Sequence, residues 1–159
     1  MKIRNLKGKI VVGVLLLLIC GCAFFGEMLK LYNTIWWWDI MLHSVSGATF
    51  AIIGFMLASK LSKHTVSPLL AALFAFSFAV TLGVMWEIFE FIMDSLRQMN
   101  MQRWMFMPIP DSAAWARAVE LRGAGLIDTM KDLIVGAISG LIAAVIGYVY
   151  LKRKIKKEP

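Results

Sequence analysis

The sequence predicts an all-α integral membrane protein, a four-transmembrane-helix bundle forming one domain over residues 1–159. Three observations predict it. The composition is 60% hydrophobic with mean hydropathy +0.74, whereas a soluble domain of this size is nearer 45–50% apolar. Four apolar runs each have the roughly 20 residues needed to cross about 30 Å of hydrocarbon. The basic residues cluster at alternate ends of those runs, which explains the net charge of +7 by orientation in a bilayer rather than by nucleic-acid binding.

Span one covers about residues 9–27, "KIVVGVLLLLICGCAFFGE". Cys20 and Cys22 inside it read as small buried hydrophobes. A lipoprotein signal with Cys22 as the lipidated residue is the alternative, and nothing suggests a disulfide framework. Span two covers about 38–59 and follows the anchor Trp36, Trp37 and Trp38. Span three covers about 68–93 and starts at Pro68, a favoured first helical residue. Span four covers about 127–151, "IDTMKDLIVGAISGLIAAVIGYVYL".

Lys2, Arg4, Lys7 and Lys9 precede span one, Lys60 and Lys63 separate spans two and three, and five bases from Lys152 to Lys157 follow span four. With four spans all of these fall on one side, and the positive-inside rule makes that side the cytoplasm, with both termini on it. The 95–126 connection is then outside. Asp111 or Ser112 is suited to cap a short interfacial helix running to about Arg122 and ended by Gly123. Trp104, Phe106 and Trp115 point to the bilayer interface. The methionines at 99, 101, 105 and 107 read as interfacial apolar contacts, with a soft-metal cluster as the sharper alternative.

The chemistry concentrates at the outer ends of three spans. Asp39 and His43 are i and i+4, so they share a helix face, with His43 about 6 Å deeper at 1.5 Å per residue. Glu87, Glu90 and Asp94 stand at i, i+3 and i+7, again one face. Asp128 and Asp132 are i and i+4 at the start of span four. Inward of these groups lie Gly47, Gly83, Gly136 and Gly140, and small residues at this spacing let membrane helices approach closely. The acid-bearing faces are therefore the packing faces, and together they enclose an outward-opening pocket.

Two readings of that pocket compete. Lys131, Arg97 and Arg122 are near enough to pair with the carboxylates in a structural network, and acids at helix N-termini suit the dipole. Against it, six carboxylates exceed three bases, and close carboxylates in a low dielectric cannot all ionise without protons or a cation. Intramembrane ionisable groups are functional candidates by default. The sharper expectation is a divalent-cation site with His43, Glu87, Glu90 and Asp132 as ligands, a donor set suited to Zn, Mn or Fe, with Mg or Ca as oxygen-rich alternatives. Asp39, Asp94 and Asp128 are expected to form a shallower rim. If the site is catalytic, Glu87 or Glu90 is the general base and His43 a ligand or acid, for hydrolysis or transfer on a lipid-linked or cell-envelope substrate. A non-enzymatic membrane factor held together by the network, and an ion- or proton-coupled transporter, stay open beside it. The shallow acids and closely packed inner halves argue against a conduit, since transport sites usually sit near the midplane.

"WDIMLHSVSG", "WEIFEFIMD" and "GLIDTMKDLIVGAISG" resemble the signature segments of the YjdF-like family of small bacterial membrane proteins, which is distantly similar to VanZ-like proteins. The resemblance covers roughly residues 36–147. It implies a multi-pass protein of the bacterial cytoplasmic membrane whose reaction is not established. It falls on Asp39, His43, Gly47, Glu87, Glu90, Asp128, Thr129, Asp132 and Gly140. Larger members have more spans than the four counted here.

Overall fold

The computed structural model describes residues 6–62, 66–97, 101–102 and 114–156. Five helices follow in order: α1 (Leu6–Met28), α2 (Leu31–Thr34), α3 (Trp38–Leu61), α4 (Pro68–Arg97) and α5 (Ala114–Ile155). Four of them are long and apolar enough to span a membrane, over Gly8–Met28, Trp38–Leu61, Pro68–Arg97 and Gly125–Ile155. Helix is the only regular secondary structure among the described residues. Helices suit such a chain because each satisfies its own backbone polar groups where no water can.

Local chemistry explains the boundaries. Ser67 Oγ accepts the N–H of Leu70 at 3.2 Å, so a serine cap precedes Pro68 at the first helical position. Between α1 and α3 the chain turns through Lys30, whose φ of 54° is left-handed. The Lys30 carbonyl accepts the Thr34 hydroxyl at 3.0 Å, closing α2 into a single turn. A lysine in this conformation costs about 1–2 kcal/mol, and no glycine signals the turn in the sequence.

The 95–126 connection differs from expectation. Residues 114–122 are helical but continuous with the fourth span. Gly123 lies inside α5, and no described glycine has positive φ. A helix-interior glycine costs about 1 kcal/mol, which a long packed helix absorbs, so Gly123 does not stop it. At 42 residues α5 is about 63 Å long, far beyond the bilayer core. Asp111, Ser112, Trp104, Phe106 and the methionines at 99, 105 and 107 lie outside the described residues, as do the side chains of Trp115 and Arg122.

Helices α3, α4 and α5 pack mutually, while among the described residues α1 meets only α2 and α3. The buried apolar residues are mostly alanines, including Ala51, Ala58, Ala75, Ala79 and Ala144. Leu17, Phe24, Ile88, Phe91, Ile134 and Leu141 face outward. Lipid is as apolar as leucine, so helices gain by close packing of small residues rather than by burying large ones. A Cβ on Gly47 would overlap the Gly136 carbonyl oxygen and Ser139 Oγ. One on Gly54 would stand 2.7 Å from Ala75 Cα, and one on Gly140 3.1 Å from Ala79 Cβ. Backbone thus meets backbone at both the α3–α5 and α3–α4 crossings. The Gly47 contact with Gly136 lies one helical turn from His43, so it also fixes the separation of the acid-bearing ends.

Candidate metal centre

The acid cluster lies where α3 begins, α4 ends and the membrane-spanning part of α5 begins. Packing one turn further in holds these ends together. Asp39 and His43 share a face of α3, and His43 reaches across to both neighbouring helices. Its Nε2 is 3.7 Å from Asp39 Oδ1 and 3.7 Å from Asp132 Oδ2 of α5, while its Nδ1 is 3.9 Å from Glu87 Oε1 of α4. The three spans therefore converge on one imidazole, with all four groups substantially buried and Asp132 only 2% exposed.

Asp39, His43 and Asp132 each offer a ligand atom, and those atoms lie within 4.8 Å of one another. One imidazole and two carboxylates form a donor set that suits a borderline divalent ion. Glu87 completes a familiar order. A ligating histidine usually turns its second nitrogen toward a carboxylate that orients it, and Glu87 holds that position opposite Nδ1. Neither Glu87 oxygen has a hydrogen-bond partner, although the residue is only 4% exposed. Removing a carboxylate from water this completely is costly unless something compensates.

Three residues sit differently from where the sequence places them. Asp39 was expected on the rim, but it is buried and supplies one of the three converging donors. It is covered because α5 packs over the start of α3. Glu90 was expected as a ligand. Its Oε1 instead accepts the Trp86 indole N–H at 2.8 Å, and it lies outside the converging group. Asp94 was expected near water. It is 7% exposed, and its two oxygens accept the backbone N–H groups of Met101 and Gln102 at 2.7 and 3.0 Å. It ties the chain beyond α4 to the bundle. Asp128 pairs with Lys131 at 2.9 Å, and its side chain is 13% exposed, about as covered as that of Asp39 at 12%.

Two further residues matter. Lys131 Nζ is also 3.8 Å from Asp39 Oδ2 and 3.5 Å from Asp132 Oδ1. Gln102 Nε2 donates to Thr129 Oγ1 at 2.8 Å, joining the connection after α4 to α5. Proximity of Lys131 to the acids was legible in the sequence, but nothing there pointed to Gln102.

Two cavities adjoin the cluster. One, of about 500 Å³, lies between α1 and the other spans, with Asp39, His43, Glu87, Glu90 and Asp132 on its walls. The other, of about 880 Å³, is a cleft between α4 and α5 lined mainly by apolar side chains, with Glu87, Asp94, Ser95, Gln102 and Thr129 as its polar groups. Glu87 lines both.

The profile of a family described as "Predicted membrane protein (DUF2238)" matches residues 2–153. An uncharacterized protein of Thermotoga maritima is 30% identical over 112 residues, which are 70% of this chain and 48% of that protein. The chain spans about half the length of the curated relative it matches. No solved structure matches it. With four spans among the described residues and a profile match over nearly its whole length, the chain belongs to the DUF2238 family of predicted membrane proteins.

Proposed function

We propose that the protein binds a divalent cation between Asp39, His43 and Asp132, on the outer side of a bacterial cytoplasmic membrane, and uses it for hydrolysis or transfer on a lipid-linked or envelope substrate. The observation that carries the reading is the convergence of those three donor atoms within 4.8 Å, in helices that bury them. The distribution of Lys and Arg supports the orientation. Asp39, His43 and Asp132 would hold the cation, which would supply polarisation of a phosphoryl or carbonyl oxygen and acidification of a water molecule.

Glu87, 3.9 Å from His43 Nδ1, is the candidate for orienting the imidazole or for accepting the proton of that water. The cleft between α4 and α5 supports an amphiphilic substrate. Its 880 Å³ falls within the range of about 300–1,000 Å³ typical of small-molecule sites. Ile88, Phe91 and Leu126 at its edge are exposed, on a surface that faces hydrocarbon. The YjdF-like and VanZ-like resemblance includes the same Asp39 and His43 pair. A second reading, a structural network in a non-enzymatic membrane factor, is favoured by the three ion pairs of Lys131.

Elemental analysis of protein purified without chelator separates the two. The cation reading expects a stoichiometric divalent metal that is lost in His43→Ala and Asp132→Asn while both variants remain folded. No metal in the wild type, together with no uptake from added Zn²⁺ or Mn²⁺, leaves the structural network.

A further inference from the structure

The cluster already contains a positive charge of its own. Lys131 Nζ stands 3.8 Å from Asp39 Oδ2 and 3.5 Å from Asp132 Oδ1. The other oxygens of these two carboxylates, Asp39 Oδ1 and Asp132 Oδ2, face His43 Nε2. Both acids are therefore held between an imidazole on one side and an ammonium on the other. The ammonium is on the more open side: the Lys131 side chain is 41% exposed, against 2% for Asp132. Glu87, buried beside His43 with neither oxygen hydrogen-bonded, independently leaves acceptor oxygens in the site that no fixed donor satisfies.

We infer that Lys131 is a tethered counter-cation that competes with the divalent ion for Asp39 and Asp132 and so sets how tightly the site is occupied. The inference rests on reading Asp39, His43 and Asp132 as a cation site. An ammonium has no lone pair and cannot itself ligate. A doubly charged ion among the same oxygens would repel it strongly in this low-dielectric setting. The lysine stem of four methylenes lets the ammonium move, and a second anchor is at hand. Asp128, one turn earlier on α5, already holds it at 2.9 Å and is less buried than Asp132. Divalent binding would then move Lys131 from the shared position to Asp128 and water. Without a divalent ion, Lys131 supplies the charge that lets Asp39 and Asp132 sit together.

The test compares Mn²⁺ binding, by titration calorimetry and electron paramagnetic resonance, to the detergent-purified full chain and to Lys131→Met, Lys131→Gln and Lys131→Arg. Removing the charge in Met and Gln should tighten binding by about tenfold or more. Arg, which keeps it, should stay near wild type. Mn²⁺ should also raise the melting temperature of Met and Gln more than that of wild type. If wild type binds and Met and Gln bind no tighter, the competition is overturned while the cation site stands. If no form binds, the site itself falls and the inference with it. Should Met and Gln be recovered only when purified with Mn²⁺, the divalent ion is replacing the lysine as proposed. Failure to recover them under either condition overturns it.

Discussion

One methyl group added at Gly47 measures how closely α3 and α5 approach beside the cluster. In Gly47→Ala the new Cβ overlaps the Gly136 carbonyl oxygen and Ser139 Oγ, and stands 3.0 Å from the Gly136 carbonyl carbon. Ser139 Oγ donates to that same carbonyl at 2.9 Å, so the hydroxyl cannot turn aside without losing its bond. The carbonyl moves only if α5 moves. Overpacking costs about 1–3 kcal/mol, and a clash against backbone belongs at the upper end. Alanine returns about 1 kcal/mol in helix propensity, leaving a net loss of about 2 kcal/mol. For a chain of this size that lowers the melting temperature by about 4–8 °C. Thermal unfolding in detergent, followed by tryptophan fluorescence, reads it directly. Gly13→Ala, where a Cβ meets nothing within 4 Å, and Gly136→Ala, whose nearest contact is His43 O at 3.7 Å, should lose no stability. Ser139→Ala added to Gly47→Ala should restore part of the loss. A Gly47→Ala protein melting at or above wild type would refute the close crossing.

Further expectations follow from the same geometry. Gly140→Leu, with its Cβ 3.1 Å from Ala79 Cβ, should destabilise the bundle, whereas Leu141→Ala on the outward face should cost little; equal melting temperatures would contradict the face assignment. Asp94→Asn keeps only one acceptor oxygen for the two N–H groups of Met101 and Gln102. It should cost about 1–3 kcal/mol and speed proteolysis after α4, and wild-type protease resistance would argue against that tie. A cysteine replacing Ser112 should react with an impermeant thiol reagent on intact cells, and labelling only after lysis would put the 95–126 connection in the cytoplasm.

The spans were legible because hydropathy over 20 residues is a long-range average that local detail does not disturb, and Pro68 marked its boundary by simple backbone chemistry. The turn at Lys30 was not, since nothing distinguishes a left-handed lysine from any other in sequence. Gly123 misled for the converse reason: a glycine permits a helix end without requiring one. At the site, helix periodicity correctly grouped Asp39 with His43 and Asp128 with Asp132. Rise along the axis also put Glu87 and Glu90 near them in depth. Rise alone leaves rotation undetermined, however. Three residues turn about 300°, so Glu90 points about 60° away from Glu87, and it meets Trp86 instead of His43. Asp94 is buried by the backbone of a connection whose path no periodicity describes. Lys131 reaches the centre because its stem bridges the rotation that separates it from Asp132, a reach that helix spacing does not express.

In the function proposed above, one imidazole and two carboxylates from α3 and α5 hold a single divalent ion. X-ray absorption spectroscopy on the zinc-loaded, detergent-purified protein tests it most directly. Such a site gives zinc one imidazole nitrogen and carboxylate oxygens at about 2.0–2.2 Å, with the imidazole signature absent in His43→Ala. A zinc shell made only of oxygens, or an imidazole signature that persists in His43→Ala, would contradict it.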